Sequence, residues 1–220
     1  MRPPGKNDQI SRSWIANADA WTSAVRERRI ESRRVATDAA IVKAVLDQHP
    51  RSVLDLGCGE GWLARALGLD VVGIDGSSAL IEAAKRLGGG EFHAMSYREL
   101  GSLNRTFDVA VANFSLFDED LYDLLVNVPA PILIVQTAHP SFAEHDGWQL
   151  ETFATFEGAF REPMPWYFRT QESWLSTFDK AGYGLVETRE PVHPETSAPL
   201  SVIYIVRRAS RSDRPGVARR

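Results

Sequence analysis

The chain has 220 residues, enough for one domain with decorations, and its 44% hydrophobic and 25% charged content suits a globular protein that buries a sizeable core. A net charge of −4 argues against a nucleic-acid-binding body, and a single cysteine excludes an internal disulfide and any cysteine-rich metal site, so no metal is expected. No apolar signal segment follows the polar start and no run approaches a membrane span, so a cytoplasmic protein without a membrane partner is expected.

In chain order, residues 1 to about 8 read as disordered. From Ile10 to about Arg28, the positions Ile10, Trp14, Ile15, Ala18, Trp21 and Val25 recur at three- and four-residue steps, giving a helix one apolar stripe. A second helix is expected from about Ile30 to Gln48, with Val35, Ala39, Ile41, Val42, Val45 and Leu46 inward and His49-Pro50 ending it. These helices, residues 1–49, would form a wall or lid before the core at 50–140.

The stretch from Ser52 to Asp75 organises the rest. Val53-Leu54-Asp55-Leu56 is a short apolar run bounded by glycine, as a strand covered on both faces requires. Gly57-Cys58-Gly59-Glu60-Gly61 follows, with glycine at alternate positions where the backbone must turn sharply and approach a ligand. Trp62 to Leu67 has helical spacing. Val71-Val72-Gly73-Ile74 is a second strand that finishes on Asp75, where an α/β nucleotide site holds a ribose hydroxyl pair.

The glycine register, Asp55-x-Gly57-x-Gly59-x-Gly61, differs from the G-x-G-x-x-G of dinucleotide folds. With Asp75 it resembles motif I and the following acid of the class I S-adenosylmethionine (SAM) dependent methyltransferases. The resemblance implies SAM as cofactor and S-adenosylhomocysteine (SAH) as product. It places Asp55, Gly57, Cys58, Gly59, Gly61, Trp62, Asp75 and Gly76 at the cofactor. Cys58 reads as a small residue fitted to tight backbone, not as a nucleophile. An arginine of the N-terminal segment often meets the carboxylate of SAM in this family, and Arg33, opening the second helix, is assigned that role.

Ser77 to Leu87 reads as a serine-capped helix, and Glu91 to Ala94 as a third strand. The family usually carries an acid after this strand to accept from the adenine amino group. Here Ser96 takes the position, with Tyr97 beside it. Phe107 to Asn113 is the fourth strand, whose end in this family faces both cofactor and acceptor, which makes Asn113 and Phe114 cofactor-binding candidates near the transferred methyl; the prolines and tyrosine of the N-P-P-Y amine methylases are absent. Asp118-Glu119-Asp120 reads as a helix start.

Pro131 to Thr137 is a buried fifth strand leading to His139. At a strand terminus beside the crevice, that imidazole is the first candidate for a general base. Residues 141–169 break the α/β rhythm with many aromatics and turn residues. They read as an insertion walling the acceptor pocket, with His139, Trp148, Trp166 and Tyr167 as substrate-binding candidates. Thr170 caps a helix to Ala181. Two β-rich runs, 184–189 and 199–207, then pair as a long-looped hairpin ahead of a disordered tail at 209–220. That tail region is basic, six Arg and one Asp from Arg207 onward, and reads as a solvated end.

The expected architecture is one α/β domain. It is a Rossmann-like seven-stranded sheet, mostly parallel with the last strand antiparallel beside strand five, plus the N-terminal helices and the aromatic insertion. The expected activity is methyl transfer from SAM to an O or N nucleophile of a small apolar or aromatic molecule, by a monomer or homodimer. A SAM-binding regulator without transferase activity is the alternative, and a nicotinamide oxidoreductase a more distant one.

Overall fold

The computed structural model describes residues 5–156 and 158–209. The expected disorder at residues 1–4 and the tail from 210 onward lie outside the described residues.

Five parallel strands come first in sequence: β1 (Ser52–Leu56), β2 (Asp70–Asp75), β3 (Glu91–Ala94), β4 (Val109–Asn113) and β5 (Ile132–Thr137). A separate antiparallel pair, β6 (Gly147–Glu151) and β7 (Met164–Phe168), precedes β8 (Tyr183–Arg189) and β9 (Val202–Arg208). The main sheet has the order β3-β2-β1-β4-β5-β9-β8, and β9 runs antiparallel to both of its neighbours. The expected seven-stranded sheet, with its antiparallel strand inserted beside β5, is therefore present.

Continuous apolar runs form the central strands because helices cover both faces. On one face Leu54, Leu56, Ala110, Ala112, Leu133 and Val135 pack with α5 (Tyr122–Asn127) and α6 (Gln171–Lys180). On the other, Val53, Val71, Val111 and Ile134 meet α2 (Asp38–Leu46), α3 (Trp62–Leu67) and α4 (Ser78–Leu87). The expected caps are present: Ser77 accepts from the Leu80 amide and Thr170 from the Ser173 amide. Asp120 stands just ahead of α5, its Oδ1 accepting from the Tyr122 amide at 3.0 Å.

The N-terminal segment departs from expectation in three ways. The first helix, α1 (Lys6–Arg26), begins earlier, so residues 6–8 are helical. Its inward face carries Ser13 and Asn17 beside Ile10, Ala18 and Ala24, while Ile15 is 60% exposed. The reason is its partner. α1 packs on α4 and β7, and the Asn17 amide brackets the backbone at 161–162, donating to the Glu162 carbonyl at 2.7 Å and accepting from the Arg161 amide at 2.7 Å. Finally, the second helical stretch contains a π turn, Arg33–Thr37, ahead of α2. Beyond it Ile41 and Val45 face the core as expected, joined by Ala44, while Ala39 and Leu46 face solvent.

Candidate functional site

The glycine loop is built as the register requires. Gly57, Gly59 and Gly61 have φ of +74°, +56° and +79°, the left-handed region that side chains disfavour. A Cβ at Gly61 would come within 2.7 Å of the Phe92 ring, and one at Gly57 would collide with Ser115 and lie 2.8 Å from the Tyr97 hydroxyl. Asp75 ties the loop to its strand: one carboxylate oxygen accepts from the Gly59 amide at 3.0 Å, the other from the Ser77 amide at 2.8 Å. No atom lies within 4 Å of a Cβ position at neighbouring Gly76, so space opens beside that acid.

Strand registers bring four polar residues onto one face of the carboxyl edge. Asp55 pairs with Gly73, two residues before Asp75, and with Val111, two before Asn113; Asn113 pairs with Gln136. Partners in a parallel pair share a face, and alternate residues along a strand return to it. Asp75, Asp55, Asn113 and Gln136 therefore form a row across β2, β1, β4 and β5, on the side covered by α2 and α3. Phe114 follows the row in a left-handed conformation, φ +50°, its amide donating to the Gln136 carbonyl at 2.9 Å. A bulky residue held there is strained and over-determined by its surroundings.

Arg33 and Trp62 come together above this face. The guanidinium lies 4.5 Å from the Trp62 ring and 6.0 Å from the Trp21 ring, while Nε donates to Asp38 at 2.8 Å. Its Nη2 is buried and without a hydrogen-bond partner. Trp21 reaches the loop itself, its Nε1 lying 3.7 Å from a Cβ position at Gly59. Trp14 meets Trp21 edge-on at 5.2 Å and stacks on Phe117 at 5.9 Å, so aromatic rings run from the glycine loop to the segment after β4.

The electrostatics are those of a site short of positive charge. Burial, with the Asp75 charge second, pushes the Asp55 carboxyl up to about 7, and burial also raises Asp75 against the pull of the Ser77 and Gly59 amides. Burial likewise raises the Cys58 thiol, which fits its packing against Gly73 rather than reactivity. For Asp55 the folded state binds its proton more tightly than the unfolded chain does. Stability should then fall as pH rises from about 4 to about 7 and level off above. Urea denaturation of the ligand-free protein across that range, with Asp55→Asn alongside, checks this: the variant should lose much of the slope, and an unchanged slope would contradict it.

The other sequence candidates are less uniform. Tyr97 extends across Gly57 to donate to the Ser115 carbonyl at 3.1 Å, and the Ser115 hydroxyl donates to the Leu56 carbonyl. Ser96 is exposed and forms a reciprocal capping box with Glu99, its hydroxyl donating to that carboxylate at 2.7 Å. His139 Nδ1 accepts from the Ser141 amide at 3.1 Å and sits 2.7 Å from the Ser141 hydroxyl. Its Nε2 is buried, 3.6 Å from a Glu190 carboxylate oxygen.

Trp148, Tyr167 and Trp166 lie on the β6–β7 hairpin but not on one side of it. Trp148 and Tyr167 are cross-strand partners, 5.5 Å apart, with Trp148 Nε1 donating to Glu119. Trp166 points to the other face and packs with Phe142 and Phe168. The Tyr167 amide donates to the Phe117 carbonyl, joining the hairpin to the segment after β4. Arg169 reinforces the junction with bonds to the carbonyls of Asp118 and Glu119. Sequence reasoning missed Gln136 and the loop contact of Trp21. A glutamine inside an otherwise apolar buried strand was the available signal for the first.

Residues 53–128 match the methyltransferase domain family. A stretch of 80 residues is 38% identical to demethylmenaquinone methyltransferase of Thermotoga maritima, a match spanning 34% of this chain and 35% of that relative. Among solved structures, magnesium protoporphyrin IX methyltransferase of Synechocystis with bound SAH is similar at a TM-score of 0.66 and 16% identity, covering 93% of this chain and 100% of that one. The 1,6-didemethyltoxoflavin-N1-methyltransferase of Burkholderia thailandensis follows at 0.60 and 18%, covering 96% and 93%. A SAM-dependent methyltransferase of Mesorhizobium loti gives 0.57 and 18%, covering 77% and 96%. The fold is that of the class I SAM-dependent methyltransferases. Among the described residues, no helix is long and apolar enough to cross a membrane.

Proposed function

We propose that this chain transfers a methyl group from SAM to a small-molecule acceptor. The observation that carries the reading is the row Asp75–Asp55–Asn113–Gln136 beside a left-handed glycine loop, roofed by Arg33, Trp21 and Trp62. The residues present fit the cofactor. Asp75 would take the ribose hydroxyls, and the open space at Gly76, which the Asp75–Ala94 pairing sets beside the chain leading to Ser96 and Tyr97, would take adenine. Arg33 offers its unpartnered Nη2 to a carboxylate without giving up Asp38, and buried Asp55 supplies a countercharge for an ammonium.

Bound there, SAM supplies a methyl group on a good leaving group. The protein then mainly has to align donor and acceptor and exclude water. The packed rings of Trp14, Trp21 and Phe117 would supply an apolar wall for the acceptor. An aromatic or heteroaromatic acceptor suits that wall, and the Burkholderia thailandensis relative, crystallised with 1,6-didemethyltoxoflavin, gives this choice further support.

We assign proton handling to His139. With Nδ1 accepting from Ser141, neutral His139 carries its proton on Nε2. Service as a base uses the other tautomer, in which Nδ1–H donates to the Ser141 hydroxyl at 2.7 Å and the Nε2 lone pair is freed. His139→Ala should therefore lower the transfer rate by roughly 100-fold while leaving SAM affinity intact; a normal rate would remove His139 from the mechanism. The reading as a whole is tested by methyl transfer from labelled SAM into a small-molecule metabolite extract. Labelled product supports it, whereas SAM binding without any transfer would favour a regulatory SAM-binding protein.

A further inference from the structure

The row on the carboxyl edge ends in two amides whose oxygens have nothing to bind. Asn113 closes β4 and Gln136 is its register partner on β5, so their side chains leave the same face about 5 Å apart. Gln136 is 1% exposed, and its Nε2 donates at 2.9 Å to the hydroxyl of fully buried Ser201. Its Oε1 and the Asn113 Oδ1 are both buried and without a donor. Burying unpaired carbonyl oxygens is costly, and two of them side by side mark a place prepared for hydrogen-bond donors. The pair is also held stiffly, since the left-handed Phe114 locks the end of β4 to the Gln136 carbonyl.

Its place in the row gives its role. With ribose at Asp75 on β2, β4 lies two strand spacings away, about 10 Å, and β5 one spacing further. That distance leads past the cofactor's ribose toward the acceptor. We propose that Asn113 and Gln136 form the acceptor-binding site for a primary amine on an apolar ring, with Gln136 the residue that sets this specificity; this rests on the methyltransferase reading.

The donor count selects the amine. An NH₂ group satisfies both oxygens and still aims its lone pair at the methyl carbon, whereas a hydroxyl brings one hydrogen and a thiol only a weak one. In the step, the nitrogen lone pair forms the new C–N bond as the C–S bond breaks, its electron pair passing to sulfur. The nitrogen becomes a cation, which strengthens both N–H···O bonds as the transition state develops. The extra proton then leaves the ammonium product for His139, the base assigned above, and from there for water. Neither amide has to accept it, which suits oxygens that are not basic.

The test uses the full chain saturated with SAH and three probes of one shape: 2-naphthylamine, 2-naphthol and 2-methylnaphthalene. Affinities are read by ligand-observed NMR in the wild type, Gln136→Leu and Gln136→Glu. The wild type should prefer the amine over the methyl analogue by at least about tenfold, and Gln136→Leu should erase that preference with SAH affinity unchanged. Gln136→Glu keeps an accepting oxygen and should retain it, which also answers a Leu variant that fails to fold. Equal or absent binding of the three probes, or a preference that survives in Gln136→Leu, overturns the proposal. So does a parallel loss of SAH affinity, which would assign the pair to the cofactor's ammonium. A wild type that binds no SAH refutes the methyltransferase reading itself, and the amine proposal falls with it.

Discussion

Asp75→Ala is expected to lower SAM affinity by on the order of 100-fold or more, because hydrogen bonds to a charged acceptor contribute roughly 1.5–3 kcal/mol each and a ribose offers two. The loss has a second source. The same carboxylate accepts from the Gly59 and Ser77 amides, so its removal also leaves the glycine loop without its anchor to β2. Asp75→Asn keeps one accepting oxygen and should fall between wild type and Ala. Calorimetric titration with SAM reads the series directly, and unchanged affinity in the Ala variant would remove Asp75 from the site.

Gly57→Ala should cost about 2–5 kcal/mol of stability and disrupt the cofactor loop. Its φ of +74° costs an L side chain about 1–2 kcal/mol, and the methyl would strike Ser115 and the Tyr97 hydroxyl, adding about 1–3 kcal/mol of overpacking. Gly68 is the control. Its φ of +62° carries the same backbone penalty, yet nothing lies within 4 Å of its Cβ position, so Gly68→Ala should cost about 1–2 kcal/mol and leave the site unaffected. Paired denaturation curves and SAM titrations separate strain from collision. Equal effects at the two positions would mean that the crowding around Gly57 relaxes freely.

The sheet was legible because its central strands are largely apolar runs bounded by glycine and helix caps, and because no helix separates the last two. The cofactor loop was legible because φ above zero demands glycine at three fixed positions. The N-terminal helices were harder to read. An apolar stripe predicts which face is buried against an apolar surface, but α1 packs partly against exposed backbone at 161–162, which selects Ser13 and Asn17 instead. In α2 the expected Ile41 and Val45 do face the core with Val42 packed beside them, whereas Ala39 and Leu46 face solvent and Ala44 is buried instead. The pairing of Gln136 with Asn113 depends on strand register, which no single strand encodes. The hairpin splits Trp166 from Trp148 and Tyr167 for the same reason: alternation assigns faces only once the segment is known to be a strand.

The central claim is that the glycine loop and Asp75 bind SAM. Calorimetric titration of the intact chain with SAM, SAH and NAD tests it most directly. Saturable one-to-one binding of SAM and SAH with no heat from NAD is the predicted result. Binding of NAD, or a flat titration with both sulfur nucleosides, would contradict it.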